Sequence, residues 1–120
     1  MKTSAGVSIL LAASAHAQTE SLLINFIDSP ARLEKRDAGG ALLASTPSST
    51  TTYDGAAIDA SGHWITTSFN PKGIVIFDRG GSPLTSFPTP QVTGYATDPS
   101  VFADGTIAVC DYQGSSIDLY

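Results

Sequence analysis

The sequence predicts an all-β fold assembled from repeats of one four-stranded antiparallel unit. Three observations lead there. The first is turn chemistry. Short β-branched and aromatic runs alternate with Asp59-Ala60-Ser61-Gly62, Asn70-Pro71-Lys72-Gly73 and Asp78-Arg79-Gly80-Gly81, each a cluster that bends the backbone. The second is composition. Charged residues are 14% of the chain, while it holds 11 glycines and 7 prolines, a mix that suits turn-rich β structure better than helix. The third is self-similarity. Residues 24–45 lie on residues 65–86 without a gap, and Ile24, Pro30, Asp37, Gly39, Gly40, Leu43 and Ser45 each meet an identical residue. A Pro, an Asp and a Gly-Gly pair kept in step mark two places where the backbone must turn.

The middle unit, residues 56–99, is written in full. Its strands are expected at Ala56–Asp59, His63–Ser68, Gly73–Asp78 and Leu84–Phe87. A downstream unit, 100–120, repeats it: Ser61–Ile65 falls on Asp104–Ala108, and Ile74–Phe77 on Ile117–Tyr120. An upstream unit, 21–55, repeats it without a first strand. The stretches Ser45–Thr52 and Phe87–Pro99 read as outer strand plus crossover, with Tyr53 and Tyr95 at similar places. Strict alternation is weak, so both faces of each strand should be covered. Trp64, Phe69, Phe77 and Phe102 are then expected between units. A repeat of a little over 40 residues with four short strands is the sequence sign of a β-propeller blade. The chain supplies about two and a half such blades, an incomplete ring. It reads as the N-terminal piece of a longer protein, or as a unit whose copies assemble to close the ring.

Residues 1–17 read as a signal peptide. Met1-Lys2 is a positive start, Gly6 to Ala15 is apolar but too short to span a bilayer, and Ala15-His16-Ala17 offers small residues for cleavage after Ala17. The expected location is secreted or periplasmic, with no membrane span. Removing the segment leaves five basic against eleven acidic residues, a formal charge of −6. Such a balance argues against nucleic acid, whose phosphates need clustered cations. The one local basic group, Arg32, Lys35 and Arg36, is interrupted by Glu34 and reads as a solvated face. The single cysteine, Cys110, sits in an apolar run and reads as a small buried hydrophobe.

The unit resembles the NHL repeat family. The resemblance lies in Ile58-Asp59-Ala60-Ser61-Gly62 and Ile74-Val75-Ile76-Phe77-Asp78-Arg79-Gly80, and covers roughly residues 21–120. The downstream unit departs from it, with Phe102 where the middle unit has Asp59. The resemblance implies six-bladed propellers of the gluconolactonase and streptogramin-lyase kind. Those enzymes place acids, amides or a histidine around a central channel. No residue of this chain can be matched to such a role, so no catalytic residue, metal ligand or cofactor is expected here. Asp59, Asp104, Asp111 and Asp118 read as turn caps.

The favoured functional expectation is a binding scaffold. Its ligand surface would be the loops between second and third strands, with Phe69, Asn70, Lys72, Tyr112 and Gln113 as contacts. Aromatics beside amides suit a protein or carbohydrate ligand. The alternative is a lactonase or lyase whose catalytic residues lie in further blades. His63 would then be the one general base available after export.

Overall fold

The computed structural model describes residues 21–27 and 30–120. The expected signal peptide, residues 1–17, lies outside the described residues. The described chain forms ten strands and no helix. They are β1 Ser21–Phe26, β2 Arg32–Asp37, β3 Leu42–Ser45, β4 Tyr53–Ile58, β5 Trp64–Phe69, β6 Lys72–Phe77, β7 Pro83–Pro88, β8 Ala96–Val101, β9 Ile107–Asp111 and β10 Ser116–Leu119. They make three antiparallel sheets in sequence order: β1-β2-β3, β4-β5-β6-β7 and β8-β9-β10. The all-β expectation holds. Among the described residues the three sheets do not close into a ring.

The sheets repeat one another. β8 occupies the positions of β4 displaced by 43 residues, and β9 and β10 then match β5 and β6. The Ile65↔Ile76 and Thr67↔Ile74 pairs of the second sheet have counterparts in the third, Ala108↔Leu119 and Cys110↔Ile117. β1 to β3 correspond to β5 to β7, so among the described residues the first sheet has no counterpart of β4.

Two unit boundaries differ from the sequence reading. The middle sheet starts at Tyr53 rather than Ala56, and the third at Ala96 rather than near Ser100. The reason is a bulge. Tyr53-Asp54-Gly55 and Ala96-Thr97-Asp98-Pro99 carry turn-type residues, yet β4 shifts register between Asp54 and Ala57, and β8 between Thr97 and Ser100. Gly55 and Asp98 sit at the same repeat position, both with positive φ, 69° and 45°. A bulge takes up the extra residue and lets the strand continue. β4 packs against both β1 and β8. A Cβ on Gly55 would come within 2.7 Å of Asp98 Cα, so a glycine there allows β4 and β8 to approach.

Four hairpin turns share one plan. Gly40, Gly62 and Gly81 adopt φ of 88°, 84° and 87°. Each donates its N–H to the carbonyl of Asp37, Asp59 or Asp78. Each of those carboxylates accepts the N–H of the residue after its glycine: Ala41, His63 or Ser82. The turn before β9 keeps the glycine, Gly105, donating to Phe102 O. There the aspartate has moved, and Asp104 accepts the Thr106 N–H. The capping role expected for Asp59 and Asp104 is thus observed.

Two apolar seams join the sheets. Between the first and second lie Ala31, Leu33, Tyr53, Trp64 and Phe77. Between the second and third lie Ile65, Ile74, Val92, Ala96, Ile107 and Val109. Neighbouring residues of a strand point to opposite faces, so Trp64 serves one seam and Ile65 the other. Residues 64–68 of β5 are therefore buried without alternation. Among the described residues only the middle sheet is covered on both faces. Two expectations fail. Phe102 lies in a turn and is 54% exposed, not between sheets. Cys110 is exposed rather than buried, because its face of the third sheet carries no neighbour among the described residues.

Candidate functional site

In an antiparallel meander, alternate turns collect at the same end. The β5–β6 turn, the β7–β8 crossover and the β9–β10 loop share one end of the sheets. The β5–β6 turn is tight: Asn70-Pro71 is a cis peptide, and Ser68 Oγ donates to Pro71 O at 2.7 Å. This turn delivers Phe69 and Lys72 side by side, as their Cα pairing shows.

The crossover is what unites the end. Val92 plugs the seam between the second and third sheets. Beyond it, Tyr95 stacks on Phe69, centroids 4.2 Å apart and planes at 22°. Lys72 Nζ donates to Thr93 O at 2.9 Å and lies 5.8 Å from the Tyr95 ring centre. On the other side, Tyr112 N–H donates to Tyr95 O at 3.0 Å. Asp111 forms the main strap. Its carboxylate accepts from Thr93 N–H at 2.7 Å, Thr93 Oγ1 at 2.9 Å, Gly94 N–H at 3.0 Å and Gly114 N–H at 2.9 Å. Burial raises the Asp111 carboxyl, but the bonds from Gly114, Thr93 and Gly94 outweigh it and hold it at about 2. A carboxylate accepting several N–H bonds is stabilised in its charged form.

The two expected loops are thus brought together. Phe69 and Lys72 are half-buried and engaged by Tyr95 and Thr93, so they support the surface as much as they offer it. Asn70 is exposed, and its backbone N–H donates to Thr51 Oγ1 at 3.2 Å. Tyr112 is 75% exposed and Gln113 is exposed beside it. Gln113 packs closely on Gly94, where an added Cβ would lie 2.4 Å from its own Cβ. Sequence reasoning missed Thr93, Gly94 and Tyr95, and gave Asp111 only a local turn. Asp111 does cap Gly114, but its longer reach spans 18 residues to Thr93. The available signal was a Gly-Tyr pair in an otherwise Pro-rich crossover.

A cleft of about 440 Å³ opens beside this end. Thr51, Ser68, Lys72, Val75, Ser86 and Pro88 are among its walls. The seam opposite is filled by Val92; here the crossover between β3 and β4 carries only Ser and Thr after Pro47.

At the other end, His63 Nδ1 lies 2.8 Å from Asp59 Oδ2. Partial burial raises the Asp59 carboxyl, while bonds from His63 and Ser61 outweigh it and leave it below the usual range. Arg79 Nε donates to Ser61 O at 2.6 Å and ties the β4–β5 and β6–β7 turns together. Among the described residues no group of His, Cys, Asp and Glu is placed to hold a metal ion, and no helix is long and apolar enough to cross a membrane. No protein-family model and no curated protein matches this chain.

Proposed function

We propose that the three sheets are blades of an exported, NHL-like β-propeller and that the chain acts as a binding scaffold. The observation that carries the binding reading is the strapped end. One crossover ties two loops into a single surface and leaves Tyr112 and Gln113 outward. An aromatic held on a rigid support loses little entropy on contact, which is why tyrosines dominate many binding hot spots. The adjoining cleft adds hydroxyls and prolines, a lining that suits sugar rings or an extended peptide. Further blades, or further copies, would complete the ring. Export rests on residues 1–17, and sequencing the N-terminus of the secreted product should find Gln18.

Arrays of oligosaccharides and of peptides, probed with the labelled protein, test the binding reading. Ligands of the strapped end should bind about tenfold or more weakly to Tyr112→Ala. Arg79→Ala, at the opposite end, should leave them unchanged. Equal loss in both variants, or none in Tyr112→Ala, refutes the reading.

A second reading, a propeller lactonase or lyase, draws on the Asp59–His63 pair. A carboxylate that orients an imidazole is a common general-base arrangement. Both side chains sit in one turn, however, and Asp59 also accepts the Ser61 and His63 N–H groups, as a turn cap does. Lactone hydrolysis that disappears in His63→Ala would favour the enzyme.

A further inference from the structure

We infer that the cleft beside the β3–β4 crossover is a docking site for an uncharged peptide segment of another protein, one that presents a β-branched aliphatic residue followed by small ones. The β3–β4 and β7–β8 crossovers can be laid on one another by their fixed ends. At the start, Thr46 N–H donates to Leu33 O, and 41 residues on Phe87 pairs with Ile74. At the finish, Phe69 N–H donates to Thr52 O, and 43 residues on Tyr112 N–H donates to Tyr95 O. Between these ends the first crossover has five residues, 47–51, and the second has seven, 88–94. The longer crossover closes its own seam. Val92, 5% exposed, enters the apolar core there. The Asp111 carboxylate accepts the Thr93 and Gly94 N–H groups that follow. A Cβ on Gly114 would lie 2.8 Å from Thr93 Oγ1, so the fit is close.

One repeat earlier the matching place is open. Ser68 and Pro71 stand where the third sheet has Asp111 and Gly114, and both line the cleft of about 440 Å³, a size within the range of ligand pockets. From the shorter crossover only Thr51 reaches it. Val75 borders both the cleft and the apolar seam of Leu33, Trp64 and Phe77, so the cleft continues an interface already built. The second seam shows what completes such a place: one branched aliphatic side chain, then backbone N–H groups that find an acceptor. Ser68 Oγ gives its hydrogen to Pro71 O and keeps the capacity to accept an N–H. The one charged wall residue, Lys72, already donates to Thr93 O, so a charged ligand group would be left without a partner. A sugar would carry hydroxyls to the position where the template carries an isopropyl group, and hydroxyls buried without partners are costly. A peptide matches the template on both counts. This narrows the binding reading above to one occupant of the cleft, and it rests on that reading.

Calorimetric titration of the full chain with a synthetic peptide of residues 88–95 tests it. The peptide should bind with a Kd below about 1 mM, a weak limit that allows for the ordering of a short free segment. Its Val92→Asp analogue should bind about tenfold or more weakly, because the cleft would have to desolvate a carboxylate. In the protein, Ser86→Trp places a ring in the cleft from an exposed strand position. It should stay folded by circular dichroism and weaken the peptide about tenfold or more. Tyr112→Ala should bind the peptide like the parent, since Tyr112 belongs to the third sheet, on the other side of β5 and β6. Replacing residues 47–51 by the sequence of 88–94 should supply the wedge within the chain, abolish peptide binding and raise the melting temperature. If that variant does not fold, Ser86→Trp decides alone. No peptide binding, equal binding of the Val92→Asp analogue, or binding kept in Ser86→Trp overturns the inference. Oligosaccharide binding that Tyr112→Ala weakens, with no peptide binding, also overturns it and leaves the strapped-end reading standing.

Discussion

Gly40 and Gly81 occupy the same place in the same turn, with φ of 88° and 87° and the same hydrogen bonds. Their surroundings differ. A Cβ on Gly40 meets nothing within 4 Å, whereas one on Gly81 would lie 2.7 Å from Ser45 O and 2.8 Å from Ser45 C. Replacing each by alanine therefore separates backbone strain from packing. At Gly40 only the left-handed conformation counts, at about 1 kcal/mol. At Gly81 the same strain is joined by overpacking against fixed backbone, for a total of about 3 kcal/mol.

The second cost has a path into the core. Thr46 N–H donates to Leu33 O and Thr46 Oγ1 accepts the Leu33 N–H, both at 3.0 Å. Pushing Ser45 away drags Thr46, and Thr46 holds the fully buried Leu33. Urea unfolding followed by circular dichroism measures both variants against the parent, with midpoints compared at a common slope. Losses that agree within about 0.5 kcal/mol, the usual scatter between independent sites, would refute the claim that this turn forms part of the joint between the first two sheets.

Asp111 should govern acid stability at the strapped end. Its folded pKa, about 2, lies below the ordinary aspartate value of 3.8, so its contribution is present above pH 4 and is lost as pH falls toward 2. Asp111→Asn should be less stable at pH 7 and should lose that part of the acid transition; a parent-like acid transition in the variant would count against the strap. Asp98 pays a left-handed penalty that glycine avoids, since its φ is 45°. Asp98→Gly should therefore stabilise the chain by up to about 1 kcal/mol, read as a higher melting temperature, and a clear loss would show that the Asp98 side chain is needed at the bulge.

How far the fold was legible depends on how local its causes are. The Asp-to-Gly turns could be read directly, because one five-residue stretch contains the carboxylate, the N–H groups and the glycine. The Pro30/Pro71 and Gly40/Gly81 coincidences placed β2, β3, β6 and β7 in step for the same reason. Strand starts at Tyr53 and Ala96 were hidden, since Gly55 and Asp98 look like turn residues until a bulge accommodates them. Phe69 and Tyr112 were read as loop aromatics, although Phe69 closes β5. Their different states, one stacked on Tyr95 and one exposed, could not be read from the loops themselves.

Residue order alone therefore determined the class of structure, the turn plan and the repeat, because these follow from backbone preferences that act over a few residues. Tertiary structure decided which faces meet. Asp111 reaches across 18 residues to Thr93, Val92 fills one seam while Ser and Thr line the other, and Cys110 lies exposed in a run of apolar neighbours. Burial depends on what lies opposite in space, and neighbours along the chain carry no record of that.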